Sequence, residues 1–201
     1  MNAAALAVDY LHHPAPAGRR IPGNKGMWVG ITCEFVEFLV LFVTYFVARS
    51  HFPESFEQGA DRLSRISGTV ITLLMVTSSF FIACSVATMR AGQRQRSIYW
   101  LIAGLIVALG YPVAKYMEIN WNLAHGINGE SGIFFTVYYY LTFNHLVHAV
   151  WGILGMFWVL ARHLGGGYTT EDHDGLEALA SYWHATDIIW LVIFPFFYVL
   201  A

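Results

Sequence analysis

The stretch SYWHATDIIW, residues Ser181–Trp190, opens an apolar run that continues to Ala201. The run is long enough to cross a bilayer as a helix, because a span needs roughly 20 apolar residues. It nevertheless carries His184 and Asp187, three residues apart. Ionisable side chains in an apolar helix are costly unless they face a protein interior. The stretch therefore predicts a membrane-spanning helix within a bundle that has a polar interior.

The composition of the whole chain agrees with a membrane protein. The 201 residues are 57% hydrophobic and 12% charged, and the mean hydropathy is +0.52. A net charge of -2 gives no basic face for nucleic acid, so we expect no nucleic-acid partner. Cys33 and Cys84 lie inside apolar runs, and we expect small buried side chains there rather than a disulfide framework or a zinc site.

Five segments are long and apolar enough to be transmembrane helices. They are residues 27–48, 66–89, 98–118, 133–161 and 178–201. They predict an all-α integral membrane bundle of five transmembrane helices, forming one domain over residues 27–201. Residues 1–26 are rich in proline and glycine and predict an N-terminal cytoplasmic arm.

Lysine and arginine predict the orientation, because they collect on the cytoplasmic side of a membrane. One set of span ends carries Arg19, Arg20, Lys25, Arg90, Arg94, Arg96 and Arg162, and the other carries Arg49, Arg62 and Arg65. We therefore expect the N-terminus to be cytoplasmic and the C-terminus to lie outside. The smaller set shares a predicted loop with Glu54, Glu57 and Asp61.

Four pairs of ionisable side chains lie within the spans, each at i, i+3 spacing on one helix face. They are Glu34 with Glu37, Lys115 with Glu118, His145 with His148, and His184 with Asp187. A helix rise of about 1.5 Å per residue places all but the second pair between the cytoplasmic half and the midplane. We expect those six residues to form one polar cluster. The pair Lys115 and Glu118 lies near the outer end, where the lysine can reach the interface.

Three interpretations of the polar cluster remain open from the residues alone. Three histidines with carboxylates are suitable ligands for copper, zinc or iron, although the repeated Glu-x-x-His pattern of di-iron bundles is absent. Carboxylates and imidazoles in a membrane can also relay protons. The third interpretation is structural, with the polar contacts tying the helices together.

Several motifs, in chain order, resemble subunit III of the haem–copper oxidases. VGITCEF resembles the helix that carries the family's membrane-embedded glutamate, which falls on Glu34. The remaining matches are VAKYME, through Lys115, Tyr116 and Glu118; the T..H..H...G helix, through Thr142, His145, His148 and Gly152; and a glutamate before a YWH..D..W helix, through Glu177, Tyr182, Trp183, His184, Asp187 and Trp190. The resemblance covers about residues 27–201.

The full-length family has seven helices, and the two that are missing here are the first two. A five-helix form is similar to the branch associated with bacterial nitric oxide reductase, its E subunit. The lysine at position 115 also resembles that branch. Three departures from the family stand out. Ile71 replaces a usual asparagine, Phe143 replaces the glycine of a TG.H turn, and Glu37 is an additional carboxylate that can share a proton with Glu34.

The resemblance implies a non-catalytic accessory subunit of a respiratory haem–copper oxidase or nitric oxide reductase in the bacterial inner (cytoplasmic) membrane. Such a subunit supports assembly, stability or proton uptake of the catalytic subunit. It implies no metal or cofactor bound by this chain, with haem and copper or iron in the partner subunit, and contact with membrane phospholipid. The flank left bare by the missing helices needs lipid, a partner or a second copy of the chain.

Within that family role, His184 and Asp187 are expected to join His145, His148 and Glu34 in a polar network that fixes the bundle. Two alternatives from other classes remain. A membrane metalloenzyme using His145, His148 and His184 predicts stoichiometric metal in the pure protein. A stand-alone proton or solute channel predicts transport by the isolated chain in liposomes.

Overall fold

The computed structural model describes residues 21–200, so most of the predicted 1–26 arm, with Arg19 and Arg20, lies outside the described residues. Over 21–200 the chain forms helices and no strand. The helices are α1 (Lys25–His51), α2 (Pro53–Asp61), α3 (Arg65–Arg90), α4 (Arg94–Ala124), α5 (Ile133–Leu164) and α6 (Asp174–Tyr198). All except α2 are long and apolar enough to cross a membrane. The prediction of an all-α chain with five candidate spans is confirmed.

Several helices begin at polar residues that the apolar spans did not include. The Asn24 side chain caps α1 by accepting a hydrogen bond from the Met27 backbone N at 2.8 Å, and Ser64 caps α3 in the same way through Ser67 N. The largest extension is α4, which covers Arg94–Ala124 rather than the predicted 98–118. Helical hydrogen bonding does not stop where the hydrocarbon stops, so an apolar run underestimates the helix.

The five long helices alternate in direction, which brings two sets of helix ends together. At the N-terminal end of the bundle, Glu177 lies in the first turn of α6. It accepts hydrogen bonds from Arg90 of α3 at 2.8 Å and from Gly23 N at 3.2 Å. At the opposite, C-terminal end, Arg49 donates to the Leu200 carbonyl at 2.8 Å. The direction of these two ends across the membrane stays a prediction.

The segment after α1 is a helix, and the prediction of a loop there was wrong. Phe56 of α2 is buried between the rings of Tyr45 and Phe134, with both ring centroids 5.3 Å away. Gly59 approaches the Phe134 ring so closely that it leaves no room for a Cβ. Phe56 and Gly59 share one face of α2, while the acidic residues face away. The short amphipathic helix therefore covers the C-terminal end of the bundle.

Helix α6 is central and helix α1 is peripheral. The α6 helix packs against α1, α2, α3 and α5, so the histidine and aspartate of the opening stretch sit on a helix with four neighbours, as many as α5 has. In contrast, α1 buries only a stripe formed by Ile31, Glu34, Phe38 and Tyr45. Cys33 was expected to be buried, and it is exposed because it lies on the outer face of this peripheral helix.

The contact between α5 and α6 depends on a glycine. A Cβ added at Gly152 would lie 2.8 Å from Cε3 of Trp183, and Trp183 is fully buried. The indole cannot move aside without disturbing the core, so the two helices can be this close only with glycine at position 152.

We expect Gly152→Ala to lower the free energy of unfolding by about 1–3 kcal/mol through overpacking. Thermal unfolding of the detergent-solubilised chain measures the change. The matched control is Gly30→Ala on α1, where an added Cβ meets nothing within 4 Å. Equal melting temperatures for the two variants would show that the α5–α6 contact is not limited by the glycine.

Candidate functional site

The imidazole of His148 on α5 lies between the two carboxylates of α1. Its Nδ1 is 3.6 Å from Oε1 of Glu34, and its Nε2 is 3.2 Å from Oε2 of Glu37. Asn144, one turn earlier on α5, donates from Nδ2 to Oε1 of Glu37 at 2.6 Å. These four residues, which we call the carboxylate–imidazole cluster, hold the peripheral α1 to the bundle through side chains on facing helix stripes.

Glu34 reaches further into the bundle than Glu37. Its side chain is buried, and Oε1 accepts a hydrogen bond from Thr186 Oγ1 of α6 at 3.1 Å. Its other oxygen, Oε2, is buried and accepts no hydrogen bond from any residue in 21–200. A carboxylate oxygen without a donor is costly in such surroundings. This arrangement favours a carboxyl group that gains and loses a proton, and that role stays a prediction.

A cavity of about 630 Å³ opens beside this cluster, between α1, α5 and α6. Glu34, His148 and Tyr182 line it at depth, and the Tyr182 hydroxyl donates to the His148 carbonyl at 3.1 Å. Towards the N-terminal end its walls are apolar and aromatic, with one cationic side chain; the lining there includes Trp151, Trp158, Val159, Arg162 and Leu179. The cavity therefore extends from the N-terminal end of the bundle to the buried carboxylate.

His145 is a fully bonded core histidine. Its Nε2 lies 3.0 Å from the Thr186 carbonyl, and its Nδ1 lies 2.9 Å from the Tyr111 hydroxyl. A carbonyl only accepts, so Nε2 carries the proton, and the neutral ring can then accept the Tyr111 proton at Nδ1. Both nitrogens are thus used in tying α4, α5 and α6 together.

Lys115 does not extend to the interface, and that expectation was wrong. Its side chain is 1% exposed, and Nζ donates to Oε2 of Glu118 at 2.7 Å. Nζ also donates to the Tyr138 hydroxyl at 3.0 Å. The Tyr138 hydroxyl in turn lies 3.0 Å from the Tyr198 hydroxyl. Tyr198 completes the circuit by donating to Oε1 of Glu118 at 2.7 Å. A buried ion pair needs such additional bonds to offset its lost hydration, and the tyrosines supply them.

His184 and Asp187 do not join the other four residues of the expected polar cluster. His184 Nδ1 is hydrogen-bonded to the hydroxyl of Ser79 on α3, and Asp187 lies beside the same serine. The structure thus brings Glu34, Glu37 and His148 together, places His145 next to them through Thr186, and sets the α6 pair against a different helix. The i, i+3 spacing defines a face of α6 but not the neighbour of that face.

The partners that the sequence analysis missed are mostly hydroxyl groups. Ser79, Tyr111, Tyr138, Thr186 and Tyr198 each bond to an ionisable side chain that had been singled out. One signal was available: Tyr111 precedes Lys115 by four residues, and Tyr138 precedes His145 by seven, so they share helix faces. Hydroxyls are common in membrane helices, however, and spacing alone does not select the ones that bond.

The three histidines do not gather into a metal site. His145 bonds to Tyr111 and Thr186, His148 approaches the α1 carboxylates, and His184 bonds to Ser79. Over residues 21–200 no group of three or more histidine, cysteine, aspartate or glutamate side chains is arranged to hold a metal ion. The described geometry thus offers no ligand set for the metalloenzyme alternative.

These features define a class: a five-span membrane bundle whose ionisable groups serve contacts between helices. A family model described as cytochrome c oxidase subunit III matches residues 17–201, and the chain belongs to this family. Its members are non-catalytic subunits of haem–copper oxidases. The predicted family and the accessory role are confirmed.

Curated relatives carry the same description. The chain is 30% identical over 204 residues to cytochrome c oxidase subunit 3 of Thermostichus vulcanus, covering 98% of this chain and 94% of that protein. It is 29% identical over 191 residues to cytochrome c oxidase subunit 3 of Synechocystis, covering 94% and 78%. It is also 26% identical over 177 residues to quinol oxidase subunit 3 of Bacillus subtilis, covering 88% and 86%.

The Lys115–Glu118 ion pair leads to a stability prediction. Glu118→Gln or Lys115→Met alone should lower the free energy of unfolding by about 3–5 kcal/mol, because either leaves a buried group uncompensated. The double variant Lys115→Met/Glu118→Gln should lose less than the sum of the two. Thermal unfolding in detergent measures all three.

The control for this prediction is an exposed pair of similar spacing. Asp61 and Arg65 are 3.2 Å apart with side chains 74% and 68% exposed, and Asp61→Asn should cost about 0.5 kcal/mol or less. If Glu118→Gln were as mild as Asp61→Asn, the buried ring would not be a stabilising unit.

The carboxylate–imidazole cluster leads to a prediction about α1. Glu37→Ala removes the contacts to Asn144 and His148, so we expect the backbone amides of the N-terminal half of α1 to exchange hydrogen at least several-fold faster. Hydrogen–deuterium exchange with mass spectrometry measures this. Cys33→Ala on the same helix is the control and should leave exchange unchanged; identical exchange in both variants would mean that the cluster does not hold α1.

Proposed function

We propose that this chain is the third subunit of a respiratory haem–copper oxidase in a bacterial cytoplasmic membrane, and that it supports assembly, durability and proton uptake of the catalytic subunit. The observation that carries the proposal is the family match over residues 17–201. The chain itself would bind no haem or metal, and the haem and copper or iron would belong to the partner.

The choice between an oxidase and a nitric oxide reductase rests on the relatives. Nearly the whole of the Thermostichus vulcanus protein, 94% of it, is matched by this short chain, and that protein is named as a cytochrome c oxidase subunit. A length of five spans therefore gives no preference for the nitric oxide reductase branch. Similarity to a quinol oxidase subunit as well leaves the electron donor, cytochrome c or quinol, to experiment.

Proton uptake is the role that the carboxylate–imidazole cluster supports. Glu34 has a buried oxygen without a donor, and the neighbouring His148 contacts both Glu34 and Glu37. Because the imidazole stands between two carboxylates, a proton can pass along the row by small side-chain movements. The adjoining cavity gives the row a route to the membrane interface.

Phospholipid is the second partner that we propose for this cavity. Its volume of about 630 Å³ suits part of an acyl chain and headgroup, and its aromatic walls suit an amphiphile at the interface. Arg162 lies on the lining near the N-terminal end, where a guanidinium can pair with a phosphate.

The test of the proposal is purification of the chain from its native membrane in mild detergent, followed by an optical spectrum and metal analysis. Co-purification of a haem-bearing membrane subunit supports the accessory role, and the haem type and its cytochrome c or quinol oxidase activity identify the complex. Nitric oxide reductase activity would favour the other branch. A pure chain with stoichiometric metal of its own, or transport by the pure chain in liposomes, would contradict the proposal.

Within such a complex, we expect Glu34→Gln to shorten the active lifetime during turnover several-fold, because the variant removes the protonatable group but keeps the shape. The haem content per complex should stay unchanged. Glu57→Gln, at an exposed position on α2, is the matched control. Lifetime is measured as oxygen consumption against time; loss of haem in Glu34→Gln would indicate a role in cofactor insertion instead.

A further inference from the structure

A groove runs between α3 and α6 at the N-terminal half of the bundle, with a volume of about 250 Å³. We call it the α3–α6 groove, and its lining includes Ala83, Ala87, Ala180, Ser181 and His184. Ala83 and Ala87 are exposed and one turn apart on α3. Small side chains allow another membrane helix to approach closely.

The groove contains an imidazole nitrogen that the chain itself does not satisfy. Nδ1 of His184 bonds to Ser79, but Nε2 has no hydrogen-bond partner among residues 21–200, and the side chain is half-buried. One turn further along α6, Asp187 is buried and shares the Ser79 hydroxyl. Lipid tails offer no hydrogen bonds, so this surface is unfavourable if it faces lipid.

The polar surface between α1 and α5 differs, because its outward carboxylate is hydrogen-bonded within the chain. On the α1–α5 side, Glu37 is bonded by both Asn144 and His148. Each carboxylate oxygen of Glu37 therefore has a partner within the chain, although the side chain is 45% exposed. A polar side chain of a neighbouring protein helix can complete the bonding of His184.

The borders of the groove suit a helix rather than a small ligand. Apolar side chains flank it on both helices: Val76 and Phe80 on α3 and Ile188 on α6 are exposed. At its N-terminal end the Arg90 side chain is 56% exposed while it contacts Glu177, so a cation stands where a docking helix would end. An apolar stripe with one central polar position and a charged end is the pattern of a membrane-helix interface.

We propose that the α3–α6 groove is the docking site for a transmembrane helix of the catalytic subunit. That helix would place small residues against Ala83 and Ala87 and a polar side chain against Nε2 of His184. An acidic side chain or free carbonyl at its end would meet Arg90. The inference rests on the proposed function, because it takes the catalytic subunit as the partner.

The first experiment is photo-crosslinking in the complete complex. Phe80, 58% exposed beside the groove, is replaced by p-benzoylphenylalanine, which keeps an aromatic side chain at this position, and the adducts are identified by mass spectrometry. We expect an adduct with a transmembrane helix of the haem-bearing subunit. Phe143 on α5, 62% exposed, is replaced in the control and should give no such adduct.

Each other outcome overturns the docking site. An adduct of position 80 within residues 1–20 of the same chain would show that the chain covers its own groove, since Pro22 lies at the rim. Adducts with lipid or with a second copy of the chain exclude the catalytic subunit at this surface. An adduct with the haem-bearing subunit from position 143 and not from position 80 places the interface on α5.

The second experiment fills the groove. We expect Ala87→Trp to reduce the haem recovered per purified chain at least tenfold, while Ala161→Trp leaves it unchanged. Both alanines are exposed and lie three residues before the ends of α3 and α5. An unaltered melting temperature of the isolated Ala87→Trp chain shows that the loss is not a folding defect, and full haem recovery overturns the proposal.

The wild-type complex separates the two hypotheses. If the wild-type chain recovers no haem-bearing subunit, the proposed function fails, and the docking site fails with it. If the wild-type chain recovers this subunit but Ala87→Trp recovers it equally well, the function stands and only the position of the interface is wrong.

Discussion

Hydrocarbon supplies no hydrogen bonds, and the arrangement of this bundle follows from that constraint. Each ionisable side chain within a span must find its partner on another helix or remain at high energy. The central position of α6 is the result, because its polar residues bond to four different neighbours: Thr186 to Glu34 and His145, His184 to Ser79, and Tyr198 to Glu118.

The closed circuit at the C-terminal end shows how completely the constraint can be met. Lys115, Glu118, Tyr138 and Tyr198 are joined by four hydrogen bonds in a closed circuit. Nζ also lies 4.8 Å from the centroid of the Tyr138 ring, which adds a cation–π contact. Three helices are joined by one unit in which the charges of Lys115 and Glu118 are paired. His184 on α6 is half-buried and has no such closed circuit around it.

The sequence was sufficient for the number of spans and for the faces on which ionisable residues lie, since both depend on local spacing. It was not sufficient for the partners. Lys115 was expected to extend towards the interface, because spacing says nothing of the two tyrosine hydroxyls that other helices bring to it. Helix α2 was missed because its acidic residues make the segment polar on average, although Phe56 within it is buried. His184 was assigned to the wrong group, since the neighbour of a helix face is decided by tertiary packing alone.

The motif resemblance carried further than the physics of single residues, because an ordered set of motifs is harder to produce by chance than any one pair. It was correct for the family. The inference from helix number to a nitric oxide reductase branch was weaker, since a cytochrome c oxidase subunit of nearly the same length aligns with this chain.

The peripheral position of α1 has a consequence for the evolution of such subunits. Only one stripe of α1 is buried, and the packing among α3, α4, α5 and α6 does not use its outer surface. Helices can therefore be added before α1, or lost there, without repacking the core. The Synechocystis relative is longer than this chain, which matches 78% of it. The packing around the last helix, α6, thus places few constraints on the segments that precede α1.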